Sequence, residues 1–384
     1  MADVNAIQAA IRANGTNRRA IVENAMPMMQ PLQTQQIAGT VTTSNNVLTF
    51  QPRLTGLLLG FLIEVNATVN NAGAATANRT NGGALNVLSR VTFTDLNNFT
   101  RVNTNGYHLG LLNNVKNTRA YGGAVAPNLP YNVGNVWTVN SLAATIATGA
   151  TPALRQFFYV PIAYSAQDLT GAIYAQVVNA TMQLQVTINA APGVVATDPL
   201  FAIYSGATAA NSITLSAVTV TVTTFYYNTA TPKGGAFPLP IVDLSRAYLV
   251  QDQTANLTLV ANTDCNAPFA NARTFYSTFA VYDNAGVFNT GSDVTYLKLQ
   301  YANLLAQWQL NPQTIALLTR NAVGFDMPPG VYYLDHRAFP ISTQAWGNAE
   351  IDISPSSVTA GAFLGTWYEM VAQENTIIQA SSLG

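Results

Sequence analysis

Apolar and polar residues alternate along much of the chain from about residue 47 onward, which is the period of a β-strand with one buried face. The clearest run consists of apolar residues separated mainly by threonines: Ile213, Leu215, Val218, Val220 and Val222. The alternation slips by one residue at Ala217, and this slip predicts a β-bulge there. The other predicted strands are Leu57–Val69, Leu88–Thr94, Arg155–Ile162, Met182–Ile188, Arg273–Tyr282, Tyr296–Tyr301, Val331–Asp335, Ile351–Ile353 and Phe363–Met370. Many strands between turns rich in Gly, Pro and Asn predict an all-β sandwich or barrel.

Two internal segments favour helices instead. They are Tyr107–Val115 and Pro312–Arg320, the second with Asn311 as its N-cap and proline at its first position. The first 45 residues differ from the rest, because they favour short helices followed by an extended segment around residues 26–36. This segment contains too few apolar residues to fold alone, so we expect it to lie against another surface.

The chain is long enough for two domains, and a weak internal repeat favours a tandem arrangement. The strand–Asp–turn pattern at Asp95 recurs at Asp283, and a strand followed by Pro-Ile occurs near Ile162 and again near Ile341. Two short matches of this kind can also arise by chance. The stretch 228–245 is dense in Pro and Gly and is predicted to be the linker. We therefore expect an arm at 1–45, a first β unit at 46–240, a second at 241–371 and a tail at 372–384.

Charged residues make up only 9% of the chain, where about 25% is usual. Sixteen basic and seventeen acidic residues give a net charge of -1, which offers little attraction to nucleic acid. Such a surface is typical of a subunit buried against its neighbours, but a Thr/Asn-rich extracellular β protein has a similar composition. The N-terminus carries Asp3 and Arg12 where a signal peptide needs apolar residues, so no signal is expected.

Residues suited to catalysis are scarce. The chain has two histidines and one cysteine, Cys265, and it lacks the common hydrolase, zinc and phosphate-loop motifs. His108 precedes an apolar segment and is interpreted as part of a packed helix start. The run Asp335-His336-Arg337 could support acid–base chemistry, but strand alternation would place His336 on the opposite face from its neighbours. We therefore interpret this run as a structural ion-pair and hydrogen-bond group.

Two further clusters leave alternatives open. Asp283, Asp293 and Asp326 could bind Ca²⁺ in loops, although their spacing fits ordinary turns better. Arg12, Arg18 and Arg19 form the single local basic cluster and would contact either anionic lipid or solvent.

Several ordered segments resemble the major capsid proteins of tectiviruses, which are tailless bacteriophages with an internal membrane. The segments are Val160–Ala172, Leu239–Ser245, Ala280–Leu297, Pro328–Ile341 and Ala345–Val358. The resemblance implies two tandem eight-stranded jelly rolls with a short helical N-terminal arm. It also implies a homotrimeric, pseudo-hexagonal capsomer in an icosahedral virion shell over a membrane that encloses the DNA.

From this resemblance we expect neighbouring capsomers, membrane lipids and minor or vertex proteins as partners, and no direct contact with nucleic acid. Arg12, Arg18 and Arg19 would lie near the membrane, while the stretches 73–82 and 189–211 would form outward loops. The protein would be made in the host cytoplasm and act without enzymatic activity, cofactor or metal. A β-sandwich virion protein that binds carbohydrate or a receptor is the alternative, followed by a jelly-roll glycosidase, since one fold serves many functions.

Overall fold

The computed structural model describes residues 21–23, 25–80, 82–121, 138–140, 142–175, 181–193, 201–205, 212–232, 246–253, 259–284, 293–301, 305–338, 340–343, 347–359 and 362–373. The strands of its first half are β1 (Ala25–Thr40), β2 (Val47–Phe50), β3 (Leu57–Asn71), β4 (Ala77–Arg79), β5 (Leu88–Thr94), β6 (Thr100–Thr104), β7 (Thr138–Asn140), β8 (Thr145–Ile146), β9 (Ala153–Pro161), β10 (Ile173–Tyr174), β11 (Gln183–Ile188), β12 (Tyr204–Ser205) and β13 (Ile213–Pro232). Those of its second half are β14 (Arg246–Gln253), β15 (Cys265–Pro268), β16 (Arg273–Asp283), β17 (Val294–Tyr301), β18 (Leu305–Leu310), β19 (Val331–Asp335), β20 (Ile341–Ser342), β21 (Ala349–Pro355) and β22 (Phe363–Gln373). The helices are α1 (Gly106–Tyr121), α2 (Pro312–Val323) and a short 3-10 helix, Gly83–Val87.

Each half contains eight principal strands within the described ranges, and both halves arrange them in the same order. In the first half these strands are β1, β2, β3, β5, β6, β9, β11 and β13. In the second half they are β14, β15, β16, β17, β18, β19, β21 and β22. In both halves one sheet has the order first, eighth, third, sixth, and the other has second, seventh, fourth, fifth. Two packed sheets with this crossed order form a jelly roll, which confirms the predicted double jelly roll.

Local sequence accounts for the longest strand, β13. The apolar residues Ile213, Leu215, Val218, Val220 and Val222 are buried, and the threonines between them are half-buried on the opposite face, as the alternation predicts. Ala217 has a positive φ of 50°, and the pairing with β3 shifts register between Ser216 and Thr219. The predicted bulge is therefore confirmed, and it lets the apolar set return to the core after the slip in the sequence.

The extended segment predicted to be part of an arm is instead a strand of the first roll. β1 pairs antiparallel with β13, for example Met29 with Phe225 and Gln35 with Val220. The boundary expected at residue 46 would separate β1 from the sheet that it completes. Sequence could not show this, because the paired residues lie 185 and 196 positions apart in these two examples and the segment itself is polar. Residues 21–23 are helical, and Ile21 is buried against the outer side of this sheet.

The apparent repeat around Asp95 and Asp283 does not join equivalent strands. Asp95 lies between β5 and β6, which pair with each other as fourth and fifth strands. Asp283 ends β16, the third strand of its roll, and the next strand, β17, belongs to the other sheet. The duplication is present in the topology, but this short sequence match does not mark equivalent positions in the two rolls.

Both predicted helices are present and occupy the same place, between the fifth and sixth strands of each roll. The α2 helix begins at an Asn311 cap whose side chain accepts a hydrogen bond from Thr314 N, and it ends at Gly324 with φ of 82°. The α1 helix extends beyond the predicted segment to Tyr121. Among the described residues, neither helix has the length and apolar character needed to cross a bilayer.

The two rolls share one sheet. The second, seventh, fourth and fifth strands of the first roll continue directly into the first, eighth, third and sixth strands of the second. The junction is a short parallel pairing of β6 with β14, at Val102–Val250 and Asn103–Gln251. The stretches 73–82 and 189–211, predicted as loops, contribute β4 and β12 to a small three-stranded sheet with β8.

Candidate functional site between the two rolls

The contact between the rolls is built by α1 of the first roll on the outer face of the β14–β22–β16–β19 sheet of the second. His108 stacks on Trp367 at a centroid distance of 5.3 Å, and Tyr107 meets the same indole edge-on at 5.7 Å. Phe279 lies 5.4 Å from the His108 ring. These four side chains are at most 1% exposed. The sheet face that would be solvated in an isolated jelly roll is therefore part of the main hydrophobic core.

His108 is held in its neutral form at this contact. Burial lowers its pKa to about 3, although the Glu369 carboxylate opposes this shift. Its Nδ1 lies 2.7 Å from the Thr104 hydroxyl, and its backbone N–H donates to Asn105 Oδ1 at 2.8 Å. The interpretation of His108 as part of a packed helix start is confirmed.

An ion pair joins the C-terminal half of α1 to the second roll. Lys116 Nζ donates to Glu369 Oε1 at 2.8 Å and to the Tyr248 hydroxyl at 2.8 Å. It also donates to the Tyr164 carbonyl at 3.1 Å, and it lies over the rings of Tyr164 and Tyr248. The second Glu369 oxygen, Oε2, accepts from Ser277 Oγ at 2.8 Å. Cation–π contacts and charge-assisted hydrogen bonds thus act together at one point of the contact.

Solvation differs between the two charges. The Glu369 side chain is 3% exposed, whereas that of Lys116 is 24% exposed and reaches water at one side. Burial alone would raise the pKa of Glu369, but the Lys116 charge and the hydrogen bonds from Lys116, Tyr248 and Ser277 outweigh it and lower that pKa. Burial, followed by the nearby Glu369 carboxylate, raises the pKa of Tyr248 well above its usual value. Glu369 is therefore ionised at neutral pH, and its charged form is stabilised mainly by Lys116.

Polar contacts border the junction of the shared sheet. Both terminal nitrogens of Arg90 on β5 reach the Asp252 carboxylate on β14 at 3.2 Å. Gln251 Nε2 donates to the Thr100 carbonyl at 2.9 Å. Burial raises the pKa of Asp252, while Arg90 opposes the shift. These bonds connect the rolls beside the two parallel residue pairs.

Gly171 allows the backbone of the first roll to lie close to Tyr248 of the second roll. It has φ of 85°, and a Cβ at this position would lie 2.7 Å from Tyr248 N and closer still to Tyr248 Cβ. Its carbonyl accepts from Arg101 at 2.8 Å, and Arg101 in turn pairs with Asp95 at 2.5 Å. A side chain would force the second roll away, so the position requires glycine.

The run at the end of β19 has the structural role that strand alternation predicts. Arg337 forms two hydrogen bonds to the Asp335 carboxylate, at 2.8 and 2.7 Å. His336 faces away from them, is 6% exposed, and lies 3.1 Å from the Thr278 hydroxyl. Burial lowers the pKa of His336 to about 3. The three side chains do not converge on one site.

The other residues singled out in the sequence do not form a common site in the described structure. Asp283 is buried at the end of β16, whereas Asp326 forms an ion pair with Arg320. Within the described ranges, no group of three or more His, Cys, Asp or Glu side chains could hold a metal ion. Cys265 is buried in the core of the second roll. The predicted lipid contacts Arg12, Arg18 and Arg19 lie outside the described residues.

Sequence reasoning missed the Lys116–Glu369 pair. One signal was available, because Glu369 is the single charged residue of β22 and lies among aromatic and aliphatic neighbours. Where the face that carries it is covered, such a lone carboxylate needs a cationic or hydrogen-bonding partner. With only three lysines in the chain, the candidates were few.

Comparisons with known proteins agree with this architecture. The P3 major capsid protein N-terminal model matches residues 2–230, and the P3 major capsid protein C-terminal model matches residues 245–384. The major capsid protein P3 of Enterobacteria phage PRD1 is 33% identical over 380 residues, which cover 98% of this chain and 95% of that protein. Among solved structures, the STIV MCP, from Sulfolobus turreted icosahedral virus, has a TM-score of 0.64 at 10% identity, covering 91% of this chain and 97% of that chain. The PBCV-1 virus capsid has a TM-score of 0.56 at 11% identity, covering 91% of this chain and 95% of that chain. At these identities the two structures support the fold alone.

Proposed function

The chain belongs to the family of P3 major capsid proteins, and from this membership we propose that three copies form a pseudo-hexagonal capsomer over an internal viral membrane. The chain is a virion protein whose role is to build the capsid shell with neighbouring subunits. The trimer, the membrane beneath it and the contacts with minor or vertex proteins are the proposed parts.

The observation that carries the proposal is the fixed contact between two rolls of the same topology. The contact contains a stacked aromatic cluster, an ion pair and a continuous sheet, so the subunit presents its two rolls as one rigid block. Three such blocks around a three-fold axis would place six similar rolls in a ring, and such a ring has a hexagonal outline. A shell subunit needs shape and contacts but no reaction, and we propose that this chain acts without catalysis or cofactor.

We also propose a revised division of the chain. The first roll begins with β1 rather than at residue 46, since β1 completes the sheet of β13, β3 and β9. The second roll begins with β14, and the linker lies between Pro232, where β13 ends, and Arg246, where β14 begins. The two family matches divide near the same place, at residues 230 and 245.

The test of the capsomer is the native mass of the purified full chain by multi-angle light scattering, followed by electron microscopy of the same sample. A species of three times 40.8 kDa with a hexagonal outline is expected. A stable monomer at the concentrations used for microscopy would contradict the proposal.

The lipid contact of the arm requires a separate test. We propose that Arg12, Arg18 and Arg19 bind anionic headgroups, because clustered arginines gain electrostatic energy at such a surface. Co-sedimentation of the full chain with phosphatidylglycerol-containing vesicles should weaken when the three arginines are changed to glutamine, and it should weaken in high salt. Arg53→Gln, at an exposed arginine outside the arm, serves as the control and should leave binding unchanged. Equal binding to neutral phosphatidylcholine vesicles would contradict the electrostatic contact.

A further inference from the structure

We propose that a pocket at one end of the second roll binds a primary ammonium group, and that its occupant is the ethanolamine headgroup of a membrane phospholipid. The side chains that would hold this group are Glu350, Asn271 and Asn348, which line the pocket. The inference rests on the proposed contact with an internal membrane and names a headgroup chemistry for it.

The pocket lies where two loops of the second roll meet. One loop follows β15 and contributes Phe269 and Asn271, and the other precedes β21 and contributes Asn348. The backbone N–H of Phe269 donates to the Ala349 carbonyl at 2.8 Å and holds the two loops together. The pocket has a volume of about 380 Å³, which is within the range of small-ligand sites.

The polar groups of the pocket suit an ammonium ligand. Asn271 and Asn348 are exposed and Glu350 is half-buried, so all three can reach a ligand from solvent. Each offers a side-chain oxygen as an acceptor, and a primary ammonium has three N–H donors. Within the described part of the chain, no hydrogen bond reaches the Glu350 carboxylate. The pocket therefore supplies three acceptors, one of them charged.

Charge around the pocket is unbalanced. Glu350 and Asp352 are two residues apart on β21, so their side chains lie on one face of the sheet. Lys298 on β17 is paired with Asp352 on the same face. Its Nζ lies 2.9 Å from Asp352 Oδ2 and 2.8 Å from Asp264 Oδ2. One lysine is thus shared by two aspartates, and the Glu350 carboxylate adds a third negative charge.

Asp352 provides independent evidence of missing positive charge. Its side chain is 1% exposed, and its Oδ1 has no hydrogen-bond partner among the residues that the structure describes. Burial raises the pKa of Asp352 despite the hydrogen bond from Lys298. Burial, followed by the Asp352 charge, also raises the pKa of Glu350. A cation in the pocket would stabilise the charged form of both carboxylates.

The pocket lies at the end of the subunit where the arm joins. Successive strands of a jelly roll reverse direction, so the first and fifth strands start at the same end. β6, the fifth strand of the first roll, runs parallel to β14, the first strand of the second. Both rolls therefore start at one end, and the loop between β15 and β16 lies there too. The arm precedes β1, so the segment proposed to bind lipid joins the subunit at the end that contains the pocket.

This location favours a lipid headgroup as the occupant. An anionic headgroup would be repelled by Glu350, whereas ethanolamine presents an ammonium that donates charge-assisted hydrogen bonds. Choline has the same charge, but methyl groups replace its N–H donors and enlarge it. The pocket should therefore distinguish ethanolamine from choline. The arginines of the arm would contact anionic phosphates, and Glu350 would contact the ammonium groups of the same membrane.

The experiment is co-sedimentation of the full chain with vesicles of phosphatidylglycerol mixed with either phosphatidylethanolamine or phosphatidylcholine, at one fixed anionic fraction. Binding should be about tenfold tighter to the vesicles that contain ethanolamine. Glu350→Gln should remove this preference and keep the binding to phosphatidylglycerol that depends on the arm. Asn271→Leu removes a neutral acceptor without changing the charge, and it should lower the preference.

Asp326→Asn is the matched control, because it also removes one carboxylate. Asp326 pairs with Arg320 and lies between α2 and β19, at the opposite end of the roll. This variant should keep the preference, and the circular dichroism and thermal midpoints of all variants should match those of the unmodified chain. Equal binding of the unmodified chain to both vesicles would overturn the headgroup inference and leave the membrane contact standing. A preference that persists in Glu350→Gln, or one lost equally in Asp326→Asn, would overturn the role of the pocket. Binding to neither vesicle would overturn the membrane contact itself and its headgroup chemistry with it.

Discussion

The Lys116–Glu369 ion pair allows a quantitative test of how the rolls are held together. Substituting Lys116→Met approximately keeps the length of the side chain. Among the described residues, it leaves the Glu369 carboxylate, 3% exposed, with the Tyr248 and Ser277 hydroxyls as partners. Leaving a buried charge unpaired costs about 3–5 kcal/mol of unfolding free energy. Glu369→Gln should cost less, about 1–3 kcal/mol, because Lys116 is 24% exposed and still donates to the Tyr164 carbonyl. The structure therefore predicts an asymmetric pair of single variants.

The assay is guanidinium unfolding at one fixed protein concentration, since assembly couples to stability. In a double-mutant cycle, Lys116→Met and Glu369→Gln together should cost at least about 2 kcal/mol less than the sum of the single variants. The matched control is Lys298→Met, which removes a lysine that bridges Asp264 and Asp352 inside the second roll. Its cost should add to that of Glu369→Gln without coupling.

The pH dependence separates a lost charge pair from a lost packing contact. Without Lys116, burial raises the folded-state pKa of Glu369 above the unfolded value of about 4.3. A raised carboxyl pKa destabilises the folded state at neutral pH, and this cost disappears as the pH falls and the group is protonated. The difference in stability between Lys116→Met and the unmodified chain should therefore shrink from pH 7 to pH 5. A difference below about 1 kcal/mol at pH 7, or one that does not change with pH, would refute the role assigned to this pair.

Other predictions concern the two histidines, Gly171 at the contact with Tyr248, and the single cysteine. Because burial lowers the folded-state pKa of both His108 and His336 to about 3, the unfolded state takes up more protons as the pH falls below about 6.5. Unfolding free energy should then drop by about 3 kcal/mol between pH 6.5 and 5.0 (about 1.6 kcal/mol for each histidine, since the unfolded-state imidazole is half protonated at pH 6.5), and a flat profile over this range would show that they are not held neutral. Gly171→Ala should cost about 2–5 kcal/mol from backbone strain and the clash with Tyr248, whereas Gly149→Ala, whose Cβ meets nothing within 4 Å at φ of 72°, should cost about 1–2 kcal/mol. Equal thermal midpoints for the two variants would contradict this assignment. The single cysteine, 3% exposed, should react with a thiol reagent at least about 100-fold faster in denaturant than in buffer, and rapid labelling of the native chain would contradict its burial.

The outer faces of the two rolls show where sequence reasoning reaches its limit. Alternation identifies which residues of a strand share a face, but it cannot tell a face that meets solvent from one that meets another domain. Trp367, Glu369 and Val371 share the outer face of β22, and all three are buried because the first roll covers them. The charge at Glu369 is compatible with either environment until its partner is known.

The sequence by itself determined the strands, the bulge at Ala217, the Asn311 cap and the family resemblance. These features depend on residues close together in the chain, where steric and hydrogen-bonding preferences act locally. Only the tertiary structure decided that β1 completes the first roll, that β6 and β14 join the sheets, and that Lys116 neutralises Glu369. Each of these contacts joins segments more than 140 residues apart, and its free energy depends on the partner's burial and charge, which no local pattern encodes.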